Sequence, residues 1–274
     1  MYDVAAIFSK QYPELKRKHP KIFSLGIHFI RHIWREKLML QYPKKFPYLS
    51  RIELWEKIFS DYHINLNLGD KEAKKIPLTG PLIVVCNHSM GIVDGIALLL
   101  KILKYRKNVK IVQGSILRDT LGFFEYSVEV DNLNGGIDRD VYKEIKSHLN
   151  HDGVLIIFPA GQVARLKAGK IQESPWNSGF YRFAKATNTP ILPVNIQAKN
   201  SRFFYFLGVL CKPLSMLWVV PELFYHRHHS FHLHIGDILP DNHIKQCLES
   251  GDSELDIIES IRDACLDIPQ SNDC

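Results

Sequence analysis

Short apolar runs, each ending at a polar or glycine-rich cluster, alternate with helical segments from residue 81 onward. Runs such as PLIVVC at 81–86 and VLIIFP at 154–159 are apolar throughout, which is typical of strands covered on both faces. Strands are predicted at residues 81–86, 110–113, 154–159, 191–196 and 231–238. Helices are predicted to open at Asp94 and to span residues 138–149, 178–186 and 254–266, the last burying Leu255, Ile258, Ile261 and Cys265. This alternation predicts an α/β fold with a mixed, mostly parallel central sheet flanked by helices.

Residues 1–65 carry a different pattern, in which apolar residues recur at helical spacing. In the segment 21–40, one broad face holds Ile22, Leu25, Phe29, Ile33 and Leu40, and Ile30 and Trp34 widen it. Arg31, Arg35 and Lys37 lie beside this face. Such a helix lies in a membrane interface or packs against a neighbouring domain, and the pattern leaves both fates open. A further helix begins at Ser50, where Glu53 completes a capping box. We therefore predict a helical membrane-association region at 1–65 and a second domain at 66–274.

The positive charge of the chain is concentrated in its first part. Residues 1–80 carry fifteen Lys and Arg against eight Asp and Glu, whereas residues 81–274 carry twenty against twenty-one. Such a basic, apolar-rich segment suits an anionic membrane surface, although a solubilising face explains the charge equally well. No nucleic-acid recognition motif accompanies the charge, so a nucleic-acid partner is not expected.

The start of the chain does not resemble a cleavable signal peptide, and its scattered cysteines favour free thiols in a reducing compartment. The longest apolar stretch, residues 203–224, is interrupted by Lys212, Pro213, Pro221 and Glu222. A simple membrane span is therefore not expected there. The stretch is interpreted as buried core or as a surface that dips into lipid.

The strongest candidate for a reactive site is the cluster NHSMGIVDG, residues 87–95, directly after the first buried strand. Open α/β sheets place their working groups beyond the carboxyl ends of the strands. A histidine such as His88 is the natural general base for a hydroxyl, and Asp94 can hold the ring by its other nitrogen. If a hydroxyl group activated in this way attacks an acyl group that is already carried as a thioester, no Ser or Cys nucleophile is needed. The alternative is a structural histidine followed by an aspartate that caps a helix.

A second cluster, FPAGQVARLKAG at 158–169, follows another buried strand. Arg165, Lys167 and Lys170 would form an electropositive lip for a phosphate or carboxylate group, and a solvated basic loop is the alternative. Backbone N–H groups around Gly161 are candidates for binding a thioester oxyanion.

Two weaker candidates remain. Arg118 lies in the otherwise apolar stretch 114–126, which lines an acyl channel or belongs to the core. A run of five histidines suggests a zinc site, but its spacing matches no standard metal motif, and alternation along a strand edge explains it as well. These histidines are His226, His228, His229, His232 and His234.

The motifs resemble those of the glycerolipid and lysophospholipid acyltransferases. NHSMGIVDG is similar to the signature of that family, FPAGQVAR to its phosphate-binding block and TPILPVNIQ to a later strand with Pro-Val, in the same order over residues 60–240. Two features resemble the hemolysin-labelled branch, which includes enzymes that O-acylate lyso-ornithine or lyso-glycine lipids. Five residues instead of the usual four separate His88 from Asp94, and Ala160 replaces the Glu of the phosphate-binding block. Gln162 departs from that branch, which has Glu there, and the loss of both acidic positions fits a head group other than glycerol phosphate.

The resemblance implies an acyltransferase domain, at 66–274, that moves a fatty acyl group from acyl-ACP or acyl-CoA to the hydroxyl of a lyso-lipid. His88 would be the base, Asp94 would orient it, and Arg165 would hold the acceptor head group. The residues expected to bind substrate are Asn87, Arg118, Phe158, Pro159, Gly161, Gln162 and Arg165. Neither a metal nor a cofactor is expected besides the thioester co-substrate.

The expected location is the cytoplasmic face of the inner membrane, with peripheral or monotopic attachment. Two alternatives stay open. One is a 1-acylglycerol-3-phosphate acyltransferase, and the other is a non-catalytic protein of the same fold that binds membrane lipids.

Overall fold

The structure, a computed structural model, describes residues 2–130 and 137–268. Within these ranges the strands are β1 (Asn65–Asn67), β2 (Leu82–Cys86), β3 (Val109–Gln113), β4 (Ser127–Glu129), β5 (Val154–Ile157), β6 (Arg165–Lys167), β7 (Lys170–Gln172), β8 (Ile191–Gln197) and β9 (Ser230–Ile235). The α-helices of the same ranges are α1 (Val4–Gln11), α2 (Pro13–Lys18), α3 (Pro20–Ile33), α4 (Glu36–Met39), α5 (Gln41–Lys45), α6 (Arg51–Asp61), α7 (Asp70–Ala73), α8 (Ile92–Ile102), α9 (Ser115–Leu121), α10 (Arg139–Asn150), α11 (Gly179–Thr187), α12 (Arg202–Leu210), α13 (Lys212–Tyr225), α14 (His243–Glu249) and α15 (Glu254–Leu266).

The strands form one central sheet and a small separate hairpin. The order in the sheet is β1-β9-β8-β2-β5-β3-β4, and β6 pairs with β7 in the hairpin. Strands β8, β2, β5, β3 and β4 are parallel, whereas β9 runs antiparallel to β8 and carries β1 parallel to itself at the edge. The predicted α/β fold with a mixed, mostly parallel sheet is therefore confirmed.

Helices cover both faces of the sheet and divide its side chains into two cores. The core on one face joins Val84 of β2 and Leu192 of β8 to α8, α13 and the N-terminal helices. The core on the other face joins Ile83 and Leu155 to α10, α11, α14 and α15. Strands β2 and β5 are buried at every residue, which explains why their sequences are apolar without alternation. The N-terminal helices share the first core, and their separation as a domain stays a prediction.

The predicted helix at 21–40 is interrupted. Helix α3 ends at Ile33, Arg35 adopts a left-handed conformation at φ 50°, and α4 follows. The interruption allows Trp34 and Glu36 to be buried: the Trp34 carbonyl accepts from the Tyr2 hydroxyl, and Glu36 accepts from the Val4 N–H. The predicted apolar face is the outer one in its first turns, because Ile22, Leu25 and Phe29 are 66%, 73% and 55% exposed. The buried side of α3 carries Ile27 and Ile30, of which Ile30 belongs to the predicted stripe.

Two other predictions about helices change in detail. Leu255 is 61% exposed, not buried, because the inner stripe of α15 is formed by Ile257, Ile258, Ile261 and Cys265. Leu255 lies roughly a quarter turn from the centre of that stripe at about 100° per residue. Helix α8 begins at Ile92, so Asp94 lies inside its first turn and not before it. The capping box at Ser50 and Glu53 is present as predicted.

The long apolar stretch forms a helical hairpin of α12 and α13, whose outer side exposes Phe206, Val209, Leu210, Leu214 and Met216. In the described ranges no helix combines the length and the apolar character needed to cross a bilayer. Cys86, Cys211, Cys247 and Cys265 are free thiols, and Cys274 lies outside the described residues.

Candidate active site

The polar loop after β2 is held against the neighbouring strand β8 by Asn87. The Asn87 carbonyl oxygen accepts from the Ile196 N–H at 2.7 Å, and its amide donates to the Ile196 carbonyl at 3.0 Å and to the Ser89 hydroxyl at 2.9 Å. Asn87 is buried, and both the oxygen and the NH2 group of its side chain form hydrogen bonds inside the protein. The structure therefore places Asn87 as an anchor of the loop that presents His88.

His88 and Asp94 meet as predicted. The His88 Nδ1 lies 3.1 Å from the Asp94 Oδ2, and the Asp94 carboxylate is completely buried. The same oxygen accepts from the N–H groups of Met90 at 2.6 Å and Gly91 at 3.0 Å. Asp94 also lies in the first turn of α8, where the helix dipole favours a negative charge. These donors fix the carboxylate on the side of the ring where it orients the imidazole.

The second ring nitrogen of His88 is the one available for chemistry. A carboxylate at Nδ1 selects the tautomer with the proton on Nδ1, which leaves the lone pair on Nε2. The ring packs against Phe158, with 4.5 Å between the centroids, and its side chain is 13% exposed. Nε2 can therefore accept a proton from a hydroxyl group in a mostly apolar setting.

The block 158–162 curls beside this ring. The Gly161 N–H donates to the Phe158 carbonyl at 3.0 Å, and φ 64° at Gly161 explains the glycine. Pro159 is buried, and its carbonyl accepts from the backbone and side-chain N–H groups of Asn177 at 2.9 and 2.8 Å. The Gln162 amide donates to the Ser174 hydroxyl. The N–H group of Gly161 is thus used by the turn, and the binding of an oxyanion by the amides around it stays a prediction.

Arg165 lies next to the catalytic loop and beneath the hairpin of α12 and α13. The neighbouring Ala164 N–H donates to the His88 carbonyl at 2.8 Å. The Arg165 guanidinium donates to the Ser215 hydroxyl and lies 4.9 Å from the centroid of the Phe204 ring. Burial lowers the pKa of Arg165, and no carboxylate among the described residues forms an ion pair with it. Its positive charge is available to an anionic group.

Arg118 lies at the same edge of the sheet, but its charge is compensated. It follows β3 on α9 and forms ion pairs with Glu129 at 2.6 Å and Asp119 at 3.6 Å. Its guanidinium also lies 5.7 Å from the Phe124 ring centroid. A substrate anion would have to compete with two carboxylates for Arg118.

Sequence reasoning missed two polar groups that hold the loop 87–94. The Glu173 carboxylate, after β7, accepts from the His88 N–H and from the Trp176 indole. The Asn200 amide donates to the Ser89 carbonyl at 3.2 Å, and its oxygen faces the His226 Nε2 at 3.1 Å. Both contacts with the loop join residues more than eighty positions apart, so local spacing in the sequence does not reveal them.

The histidine-rich run is dispersed in the structure. His226 is buried beside Asn200, where burial lowers its pKa to about 4, whereas His232 and His234 stack on β9. Among the described residues no three His, Cys, Asp or Glu side chains come together as a metal site.

Comparisons with known proteins agree on one family. A family model described as acyltransferase matches residues 6–265. The chain is 30% identical over 177 residues to a lyso-glycine lipid O-acyltransferase of Phocaeicola vulgatus, covering 62% of this chain and 63% of that relative. The match thus spans less than two thirds of that relative's length. A lyso-glycine lipid O-acyltransferase of Bacteroides thetaiotaomicron is 27% identical over 222 residues, covering 74% of this chain and 81% of that relative.

Among solved structures, the 1-acyl-sn-glycerophosphate acyltransferase PlsC of Thermotoga maritima aligns with 96% of this chain and 91% of its own. The TM-score is 0.49 and the sequence identity is 17%.

Proposed function

The chain belongs to the acyltransferase family, and we propose that it moves a fatty acyl group from an acyl thioester to the hydroxyl of a lyso-lipid. The observation that carries this proposal is the pair of His88 and Asp94 at the carboxyl end of β2. A buried carboxylate holds one ring nitrogen at 3.1 Å, and no carboxylate of the described residues pairs with the other nitrogen. This arrangement activates a hydroxyl group and needs no metal ion to do so.

The reaction is a direct transfer. His88 Nε2 takes the proton from the acceptor hydroxyl while the hydroxyl oxygen attacks the thioester carbonyl. The tetrahedral intermediate then collapses, the C–S bond breaks, and the departing sulfur takes the proton from the imidazolium. The products are a lipid ester and a free thiol. Cys86, the cysteine nearest to His88 in the chain, is fully buried, and burial raises the pKa of its thiol well above the ordinary value. It stays protonated, so an acyl-enzyme on this residue is not part of the scheme.

The acceptor we favour is a lyso-glycine lipid. Two relatives carry that name, and the site supplies a guanidinium without a carboxylate partner at Arg165. A glycine head group presents one carboxylate, which matches the paired N–H donors of a guanidinium. A lyso-ornithine lipid presents the same carboxylate with an added amine. The acyl donor is an acyl-ACP or an acyl-CoA, and both release a thiol that can be measured.

We further propose that the enzyme works at the surface of a membrane. We name one surface the docking face. It consists of Ile22, Leu25 and Phe29 on α3 and of the exposed apolar residues of the α12–α13 hairpin. Helix α3 contacts α13, so the two parts are neighbours. Between them lies a groove of about 690 Å³ whose lining includes Arg35, Arg202 and Arg227. Apolar residues beside arginines suit the boundary between acyl chains and anionic head groups. The expected side is the cytoplasmic one, where acyl thioesters are made.

The proposal is tested with the purified chain, long-chain acyl-ACP or acyl-CoA, and a panel of acceptors in vesicles. The panel contains lyso-glycine lipid, lyso-ornithine lipid and lysophosphatidate, and thiol release and the diacyl product are both measured. Thiol release is expected to depend on the acceptor and to be fastest with a glycine head group. His88→Ala should reduce it by about 10² to 10⁴. His151→Ala, at the exposed end of α10, is the matched control.

Each arm has an outcome that contradicts part of the proposal. Equal thiol release by His88→Ala and the wild type would refute the mechanism. Faster reaction with lysophosphatidate than with either amino-acid lipid would indicate a 1-acylglycerol-3-phosphate acyltransferase. Vesicle binding without release of thiol from the acyl donor, whichever acceptor is supplied, would indicate a non-catalytic lipid-binding protein.

A further inference from the structure

Glu173 lies directly behind the backbone of His88. It follows β7, where the hairpin of β6 and β7 returns to the body of the protein. One carboxylate oxygen accepts from the His88 N–H, and the other accepts from the Trp176 indole N–H at 2.9 Å. The same hairpin contributes at its other end, because the Ala164 N–H donates to the His88 carbonyl at 2.8 Å. The peptide groups on both sides of His88 are therefore held by segments that flank β6 and β7.

The hydrogen bond to the His88 N–H does not require a charged acceptor. A neutral amide oxygen would also accept from the His88 N–H, without the cost of burying a charge. Burial raises the pKa of Glu173, the two N–H bonds and the electrostatic interaction with His88 lower it, and the charge of Asp94 raises it. Two buried thiols, Cys86 and Cys265, also interact with Glu173, and burial raises the pKa of each. His88 and Asp94 thus both act on Glu173.

We propose that Glu173 is a positioning residue for the transfer reaction: its carboxylate fixes the backbone of His88 and stabilises the positive charge that the ring gains when it takes the acceptor proton. The inference rests on the proposed function, since it assigns a role in that same proton transfer. Asp94 supports the ring through Nδ1, and Glu173 supports it through space and through the main chain. The imidazolium thus forms with Asp94 at its ring and Glu173 at its backbone N–H, and the loss of either carboxylate would leave it less stabilised.

The proposed role and a purely structural role differ in the effect that a change at Glu173 should have on stability. A carboxyl group whose pKa is higher in the folded than in the unfolded chain holds its proton more readily when folded. The stability it contributes is lost as the pH rises through that raised pKa. Above that raised pKa the ionised Glu173 therefore costs stability, and removing its charge should not lower a melting temperature measured there. The same change should slow the reaction.

The test has to remove the charge without breaking the hydrogen bond to His88. The two donors meet different oxygens of Glu173, so in Glu173→Gln the side-chain NH2 group would face either the His88 N–H or the Trp176 indole. We therefore use Trp176→Phe as the background, which removes the indole donor and keeps the charge. The double variant Trp176→Phe/Glu173→Gln then differs from that background by the charge, and its glutamine oxygen can still accept from the His88 N–H. Asp237→Asn, an exposed carboxylate partner of Lys75, controls for the loss of one negative charge elsewhere.

The measurements are the pH dependence of kcat and of kcat/KM for acyl thioester and lyso-glycine lipid, and the melting temperature. Relative to Trp176→Phe, the double variant should lose about tenfold in kcat, and its acid limb should move to lower pH by about one unit. Its melting temperature should stay the same or rise. An unmoved acid limb, or a lower melting temperature with unchanged kcat, would overturn the inference and leave Glu173 as a structural contact. Absence of turnover in the wild type would instead refute the proposed function, so the two failures are distinguishable.

Discussion

Replacing Asp94 by Asn separates the charge of the catalytic pair from its geometry. One oxygen of Asp94 accepts from His88 and from the N–H groups of Met90 and Gly91, all at 2.6 to 3.1 Å. An asparagine oxygen in that position keeps the two backbone bonds, so the loop stays folded while the negative charge is lost. The other oxygen of Asp94 is buried without a partner among the described residues, which leaves room for the new amide group but offers it no acceptor.

The expected size of the effect follows from the distance. Unit charges 3.1 Å apart attract by about 5 kcal/mol at an effective dielectric constant of about 20. This attraction is present only after His88 has taken the proton, so it acts on the transition state and not on the resting enzyme. Each 1.36 kcal/mol changes the rate by about tenfold. Allowing for relaxation around the ring, Asp94→Asn should lower kcat by on the order of 10³.

The assay is thiol release from acyl thioester at saturating acceptor, with the melting temperature measured on the same preparation. Asp237→Asn is the matched control, because it removes one exposed carboxylate at the end of β9, away from His88. A folded Asp94→Asn protein that retains more than about a tenth of the wild-type kcat would refute the reasoning. Asp94 would then be a cap of α8 with no part in the proton transfer.

Two further predictions concern the acceptor and the membrane. Arg165→Met should raise the KM for a carboxylate-bearing acceptor by about tenfold or more, because a hydrogen bond to a charged group contributes about 1.5 to 3 kcal/mol. A titration of the acceptor measures this KM, with Lys146→Met on α10 as the control. An unchanged KM would contradict the prediction. The double variant Leu25→Asp/Phe29→Asp should bind anionic vesicles less well in a sedimentation assay, because both side chains project from the docking face. The control is Leu255→Asp, at an exposed leucine on α15. An equal loss of binding in both proteins would contradict the assignment of the docking face.

The catalytic pair could be predicted from sequence because its parts are close in the chain. His88 and Asp94 are six residues apart, β2 precedes them as an unbroken apolar run, and α8 follows. The supports of His88 could not be predicted, since Glu173 and Asn200 reach the loop across 85 and 111 residues. Their placement depends on how the β6–β7 hairpin and the α12–α13 hairpin pack, which local periodicity does not encode. The short strands β1, β4, β6 and β7 were missed for a similar reason: each has three residues and is defined by its pairing partner.

Helix α3 shows the limit of periodicity from another side. The pattern identifies an amphipathic helix at this place, but it does not say which apolar residues meet the protein. Ile27, Ile30 and Trp34 are buried in the core that α3 shares with the sheet, and the Trp34 indole donates to the Leu217 carbonyl of α13. Ile22, Leu25 and Phe29 are then left on the outside. An apolar face on each side of one helix is what a segment between a protein core and a lipid surface requires.

The longer spacing between His88 and Asp94 is absorbed without altering the catalytic pair. Gly91 adopts φ 78°, which permits the tight turn, and a Cβ atom there would approach a Val219 methyl group within 2.7 Å. The turn is therefore packed against α13 and still directs two N–H groups to the Asp94 carboxylate. Since the ring and the carboxylate still meet at 3.1 Å, the spacing itself does not change the chemistry. The longer spacing therefore does not by itself explain which acceptor is used, and the prediction that Arg165 binds the acceptor head group is the one that the Arg165→Met titration tests.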